Sequence, residues 1–226
     1  MTESASAPLP VVILISGRGS NLQAIIDAVA RGALAVDIRA VISNRPDATG
    51  QQRATAAGIT TAVVDHTLYA DRLAFDQALQ ACIDRYQPGL VILAGFMRIL
   101  SPAFVAHYSG RMLNIHPSLL PDFPGLNTHQ RVLDAGCSQH GASVHIVTAD
   151  IDGGPRVAQT RVPVHADDSA DSLAARVLEQ EHHLYPLAIR WFAEGRLTLD
   201  ENGQALLDGA VLTEPRQLPA TAGEPV

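Results

Sequence analysis

The stretch VVILISGRGSNLQAII, residues 11–26, decides the fold. Its first five residues are continuously apolar and β-branched or leucine, as in a strand buried on both faces. The glycine-bearing turn SGRGS follows, and then NLQAIID carries apolar residues at helical spacing. A buried strand entering a helix through glycines is the opening of a parallel α/β unit. Gly17 and Gly19 let the backbone approach a bound group closely, and the amides of Gly19, Ser20 and Asn21 at the helix start suit an anion, although a tight turn without ligand has the same pattern. Leu22 stands where a dinucleotide fingerprint has its third glycine, and no lysine follows as in a P-loop, so a phosphomonoester fits better than NAD or ATP.

Outward from this unit, apolar runs at 36–42, 60–64, 90–95 and 111–115 read as further strands. Helical patterns lie at 21–31, 47–57, 71–86 and 102–108. The expected fold is a Rossmann-like, mostly parallel twisted α/β sheet with helices on both faces. In the C-terminal half SVHIV, 143–147, and RVAQTRVPV, 156–164, predict an antiparallel pair extending that sheet. A helix follows over 169–193, with Pro186 kinking or dividing it, then a hairpin turning at Asn202-Gly203. Residues 1–10 and 213–226 read as flexible ends around one domain, 11–212, with a nucleotide-binding half to residue 110 and a catalytic half beyond it.

Composition restricts the chemistry. All 16 basic residues are arginine, which excludes Schiff-base and P-loop lysines. A net charge of −7 without a basic run argues against nucleic-acid binding. Cys82 and Cys137 lack metal or redox spacing and suggest a reducing compartment. The apolar run at 11–15 is too short to span a bilayer, so a cytoplasmic protein with no membrane partner is expected, as monomer or homodimer. The nine histidines contain no H-E-x-x-H, and no metal is expected.

Two further stretches carry candidate chemistry. In RMLNIHPSLLPDFPG, 111–125, Asn114 and His116 share one face of a strand end while Leu113 and Ile115 take the other. They can converge on a ligand or simply bond a neighbouring loop. AGFMRILSP, 94–102, exposes Phe96, Met97 and Arg98 at a carboxyl strand edge, and Ser101-Pro102 also reads as a helix start. Asp152 in DIDGGP is a turn former in its own right. Placed beside His116, its carboxylate would raise the imidazole pKa and let the ring donate to developing negative charge. An amide donor, a tunable histidine and an aspartate suit acyl transfer to an amine, with the oxyanion held by Asn114 and His116. No G-x-S-x-G or cysteine–histidine nucleophile is evident, leaving direct attack by a bound amine.

ISGRGSNLQAIID, SNRPDATG, LAGFMRILSPAFV, GRMLNIHPSLLPDFPGLNTH, HGASVH and DGGPRVAQ, taken in order over about 11–197, resemble the glycinamide ribonucleotide formyltransferases of purine (IMP) biosynthesis. The resemblance implies 10-formyltetrahydrofolate as co-substrate and no metal. It implies that Gly19, Ser20, Asn21 and Glu181 bind the ribonucleotide. Arg72, Met97, Arg98, Ile99, Leu100 and Asn114 would form the folate site. His116, Asn114 and Asp152 would be catalytic, with Asp152 raising the His116 pKa and helping to order a proton-relaying water. Asn127 departs from the family, where a histidine is associated with that place, and Arg18 stands where a smaller polar residue is common. Methionyl-tRNA formyltransferase is a relative, but it would need a further C-terminal domain and a basic surface. A formyltetrahydrofolate hydrolase would use water as acceptor, and a binding module would have no use for the oxyanion donors.

Overall fold

The computed structural model describes residues 7–220. Its main sheet is built from β1 (Leu9–Ile15), β2 (Val36–Ser43), β3 (Thr61–Val63), β4 (Leu90–Leu93), β5 (Met112–His116), β6 (Gln139–Ile146) and β7 (Arg156–Pro163), with β11 (Arg216–Leu218) at one edge. The order is β11-β7-β6-β5-β4-β1-β2-β3. Strands β1 to β5 are mutually parallel, whereas β6 is antiparallel to both β5 and β7. The helices are α1 (Ser20–Ala30), α2 (Gly50–Ala56), α3 (Arg72–Asp84), α4 (Pro102–His107), α5 (Thr128–Asp134) and α6 (Ala170–Ala193). A small sheet of β8 (Leu197–Leu199), β9 (Ala205–Leu207) and β10 (Ala210–Val211) follows α6.

The alternation of side chains along each strand divides the core. Val11, Ile13 and Ile15 of β1 pack with Leu22 and Ile25 of α1 and with Leu173, Val177 and Ile189 of α6. Val12 and Leu14 face the other way, toward Phe75 and Leu79 of α3 and Phe104 of α4. Full burial of each such side chain stabilises the fold by about 1.5–3 kcal/mol. The continuous apolar run therefore reflects a strand covered on both faces. On β5, Leu113 and Ile115 join the α1/α6 side, leaving Asn114 and His116 on the opposite face, as the sequence predicts.

Strand order reverses between β1 and β4, which lie side by side with their crossovers leading to opposite ends of the sheet. Loops leaving the carboxyl ends of two such strands diverge and open a crevice. The turn after β1 and the loop after β4 border it.

Helix α6 is one element of 24 residues with Pro186 inside it, which removes the divided alternative and leaves the kinked one, and two further local expectations are corrected. An internal proline costs about 3 kcal/mol, and burial of Leu173, Val177, Leu184, Tyr185 and Ile189 along one face outweighs that cost. The first strand begins at Leu9, so Leu9 and Pro10 are not part of a loose N-terminus. Beyond residue 212 the segment Arg216–Leu218 forms a parallel edge strand on β7. Gln217 secures it by donating to Gln159 Oε1 at 3.1 Å and accepting from Arg161 Nε at 3.1 Å. Such an edge is held by polar bonds and has no apolar signature. The remainder of the predicted flexible ends, residues 1–6 and 221–226, lies outside the described residues.

Candidate active site

The glycine turn is fixed by contacts that only glycine permits. Gly19 caps α1 at φ +70°, and a Cβ there would lie 2.8 Å from Gly50 Cα. Gly50 N–H in turn donates to the Gly17 carbonyl at 2.9 Å, locking the turn against α2. No side chain caps α1, so its first amides remain available to a ligand. Asn21 is buried, and its Nδ2 donates to Glu181 Oε2 at 2.6 Å across the gap to α6. Its Oδ1 is buried without a partner among the described residues. Burial pushes the Glu181 carboxyl up to about 7, with the Asn21 bond opposing the shift. Gly17, Arg18, Gly19, Ser20 and Asn21 line a cleft of about 430 Å³, together with Arg45, His66, Met97 and Arg98.

The second group of residues gathers at the end of β5. Asn114 and His145 are direct cross-strand partners, and Asn114 Nδ2 lies 3.0 Å from His145 Nε2. The His145 Nδ1 faces the Ile146 carbonyl at 3.2 Å. These partners assign the Nδ1-protonated tautomer, with Nε2 accepting one Asn114 N–H and the second amide hydrogen left over. His116 Nδ1 is 3.4 Å from Asp152 Oδ2, and its Nε2 is 3.0 Å from the Phe123 carbonyl. Both ring nitrogens thus face acceptors.

The electrostatics correct one expectation. Burial dominates and holds the His116 pKa below the ordinary histidine value, although the Phe123 carbonyl and the Asp152 carboxylate both raise it. Asp152 acts in the expected direction without setting the net sign. Burial raises the Asp152 carboxyl itself, but the His145 ring 3.6 Å away, the amide of Gly125 at 2.8 Å and the neighbouring His116 carry it below the usual carboxylate range. Asp152 sits at φ +52°, an uncommon conformation for a residue with a Cβ. A Cβ on Gly154, two residues on, would collide with the Ile146 carbonyl oxygen, so the loop must be glycine there to fold this close.

The loop after β4 joins the two groups. Leu93, Arg98, Ile99, Leu100, Asn114, His145 and the 147–152 segment line a second cleft of about 110 Å³. Arg98 borders both clefts. Its Nε and the Thr148 Oγ1 are buried without partners among the described residues. Met97 and Ile99 expose 65% and 55% of their surface, leaving an apolar rim. Arg72 is exposed at the first position of α3 and lines neither cleft.

Of the residues expected from sequence, Gly19, Ser20, Asn21 and Glu181 come together, as do Asn114, His116 and Asp152, with Arg98 between the sets. His145 is not among the residues expected from sequence; a bulge at Val144/His145 and the pairing with Asn114 bring it into the site. Arg45 and His66 follow β2 and β3 to the crevice, a place only strand order reveals. Asn127 caps α5 at φ +56°. Nearby, His129 Nδ1 and His140 Nε2 are 3.0 Å apart, and burial lowers both, His140 to about 4. Arg18 is exposed on the first cleft, its carbonyl accepting from Arg53 Nε at 2.9 Å. Among the described residues no helix is long and apolar enough to cross a membrane, and no group of three side chains could hold a metal.

Residues 9–189 match the family model described as formyl transferase. The chain is 56% identical over 199 residues to phosphoribosylglycinamide formyltransferase of Escherichia coli (strain K12), covering 88% of this chain and 93% of that one. The corresponding protein of Haemophilus influenzae is 46% identical over 89% of this chain and 95% of its own. A phosphoribosylglycinamide formyltransferase from Coxiella burnetii, solved in complex with CHES, superposes with a TM-score of 0.89 at 52% identity, covering 94% of this chain and 100% of that one. With the match running nearly the full length, the chain belongs to the formyl transferase family, in its phosphoribosylglycinamide formyltransferase branch.

Proposed function

We propose that this chain transfers the formyl group of 10-formyltetrahydrofolate to the amine of N1-(5-phosphoribosyl)glycinamide, giving the formylated ribonucleotide and tetrahydrofolate for purine (IMP) biosynthesis in the cytoplasm. The carrying observation is the gathering of Asn114, His145 and Asp152 on the second cleft, with His116 beside Asp152 and Arg98 bordering both clefts.

In this reading the phosphate rests on the amides of Gly19, Ser20 and Asn21, supported by the uncapped helix start. Asn21 and Glu181 offer the ribonucleotide a buried polar pair with one acceptor, Asn21 Oδ1, still unbonded. The folate ring system occupies the second cleft, where Arg98 Nε and Thr148 Oγ1 await partners. That cleft, about 110 Å³, takes only part of the donor, and the rest extends over Met97 and Ile99 toward Arg72.

The amine nitrogen attacks the formyl carbon, and the carbonyl π pair moves onto oxygen. The free N–H of Asn114 donates to that oxyanion, and His116 becomes the second donor when its Nε2–H exchanges the Phe123 carbonyl, 3.0 Å away, for the oxyanion. Collapse breaks the bond from carbon to the folate nitrogen, which takes a proton as the acceptor nitrogen loses one. His116 supplies the acid, and Asp152 supports its protonated form and orders the water that relays protons. Amine attack needs no covalent enzyme intermediate.

Purified protein should release tetrahydrofolate from the formyl donor only when the glycinamide ribonucleotide is present, in step with formylated product. Release without that acceptor would replace the transferase by a hydrolase. No release under either condition would leave a binding module.

A further inference from the structure

We propose that Asp76 is a positioning residue for formyl transfer, acting through the 97–100 loop that walls both clefts. This rests on the reading that the loop holds the folate donor. Asp76 lies on α3, away from Asn114, His116 and Asp152, and is 2% exposed. Its Oδ2 accepts the N–H of Ser101 at 2.6 Å, immediately after the loop. The other end is held by Ser16, whose Oγ accepts the N–H of Met97 at 2.7 Å and donates to Asn44 Oδ1 at 2.6 Å. The loop is thereby pinned at its first amide and just beyond its last residue, with Met97 and Ile99 exposed between the pins.

The Ser101 pin is a bond from one backbone amide to a buried carboxylate oxygen. Asp76 Oδ1 is also buried and lacks a partner among the described residues, so a single charge-assisted bond occupies the group. The preceding residue, Phe75, presents its ring to the same loop, with the Arg98 guanidinium carbon 5.9 Å from the ring centroid. One turn of α3 therefore fixes both Arg98, which borders the two clefts, and the amide that ends the loop.

The Ser101 pin sets the Ile99 and Leu100 end of the loop, which lines only the second cleft, whereas Met97 on the first cleft is held by Ser16. Losing the Asp76 bond therefore disturbs the seating of the donor more than that of the amine acceptor. Initial rates of the full-length protein with both substrates varied should show, for Asp76→Ala, a rise in the donor KM on the order of tenfold. The ribonucleotide KM should stay within about twofold and kcat within about threefold. Asp76→Asn keeps an acceptor oxygen and should restore the donor KM to within about threefold of the parent. Ser101→Pro suits the local φ of −72° and deletes the N–H together with the Oγ cap on Phe104 N at 3.4 Å. Ser101→Ala, which loses only the cap, is its control: Ser101→Pro and not Ser101→Ala should repeat the donor defect with Asp76 in place. That pair decides the matter should Asp76→Ala not fold. An unchanged donor KM in the variant that folds, an equal rise in both KM values, or failure of Asp76→Asn to restore the donor KM would overturn the proposal. A parent protein that transfers no formyl group would instead remove the proposed reaction.

Discussion

Asn114 on β5 and His145 on β6 are cross-strand partners whose side chains lie 3.0 Å apart, and this pairing orients the Asn114 amide on the second cleft. One N–H is committed to the imidazole, so the carboxamide cannot turn over without losing that bond. The other N–H is held toward the cleft before any substrate arrives, which is what preorganised oxyanion stabilisation requires.

Replacing Asn114 with Ala removes this donor while leaving the strand intact. The kcat should fall by roughly two to three orders of magnitude, the cost typical of deleting one oxyanion donor. Steady-state kinetics with saturating donor and acceptor test this. Near-parental turnover would exclude the amide from the transition state.

Replacing Asp152 with Asn should move the activity–pH profile toward acid. Burial already holds the His116 pKa below its ordinary value, and the Asp152 charge is one of the two influences that oppose it. Without that charge the ring loses its proton at lower pH, so the limb requiring protonated His116 retreats and the rate at neutral pH falls. A kcat/KM profile of the variant that overlays the parental one would remove the carboxylate from the mechanism.

Much of this arrangement is legible in the sequence because local rules place it. The glycines at 17 and 19, the alternation of Leu113, Asn114, Ile115 and His116, and the Ser101-Pro102 helix start all follow from periodicity or turn chemistry. His145 does not, because its role depends on β6 running antiparallel to β5 with a bulge at 144/145, a non-local pairing. The net pKa of His116 was equally hidden. The charge of Asp152 can be counted from sequence, whereas the opposing burial appears only once the fold closes over the ring. Edge strand β11 escaped for a third reason: of its three residues only Leu218 packs against the core, and one apolar residue beside Arg216 and Gln217 gives no periodicity to read.

Gly19→Ala tests the anion turn. A Cβ at φ +70° costs on the order of 1–2 kcal/mol and would press on the Gly50 backbone from 2.8 Å. The turn must then shift relative to the start of α1, taking its amides off the phosphate. The ribonucleotide KM should rise about tenfold or more, with the donor KM little changed, and thermal melting should fall by about 2–8 °C. Equal KM values in variant and parent would place the phosphate elsewhere.

Glu181→Gln separates the buried carboxyl's effect on stability from its effect on binding. Burial raises the Glu181 pKa from 4.5 to about 7, so the folded chain keeps this proton where the unfolded chain has lost it. The stabilisation is complete below the unfolded value and disappears as pH rises toward 7, amounting to on the order of 3 kcal/mol. Glutamine can still accept from Asn21 Nδ2 but does not titrate. Its unfolding free energy should therefore lack this decline between pH 5 and 8, and at pH 8 it should equal or exceed the parent's. The ribonucleotide KM should nevertheless rise about tenfold, because the amide replaces a carboxylate that can ionise against substrate hydroxyls. Denaturant melts at several pH values, read beside the two KM values, check both halves. A parental decline in the variant's stability would show that Glu181 is not the group that titrates, and an unmoved ribonucleotide KM would take it out of the binding site.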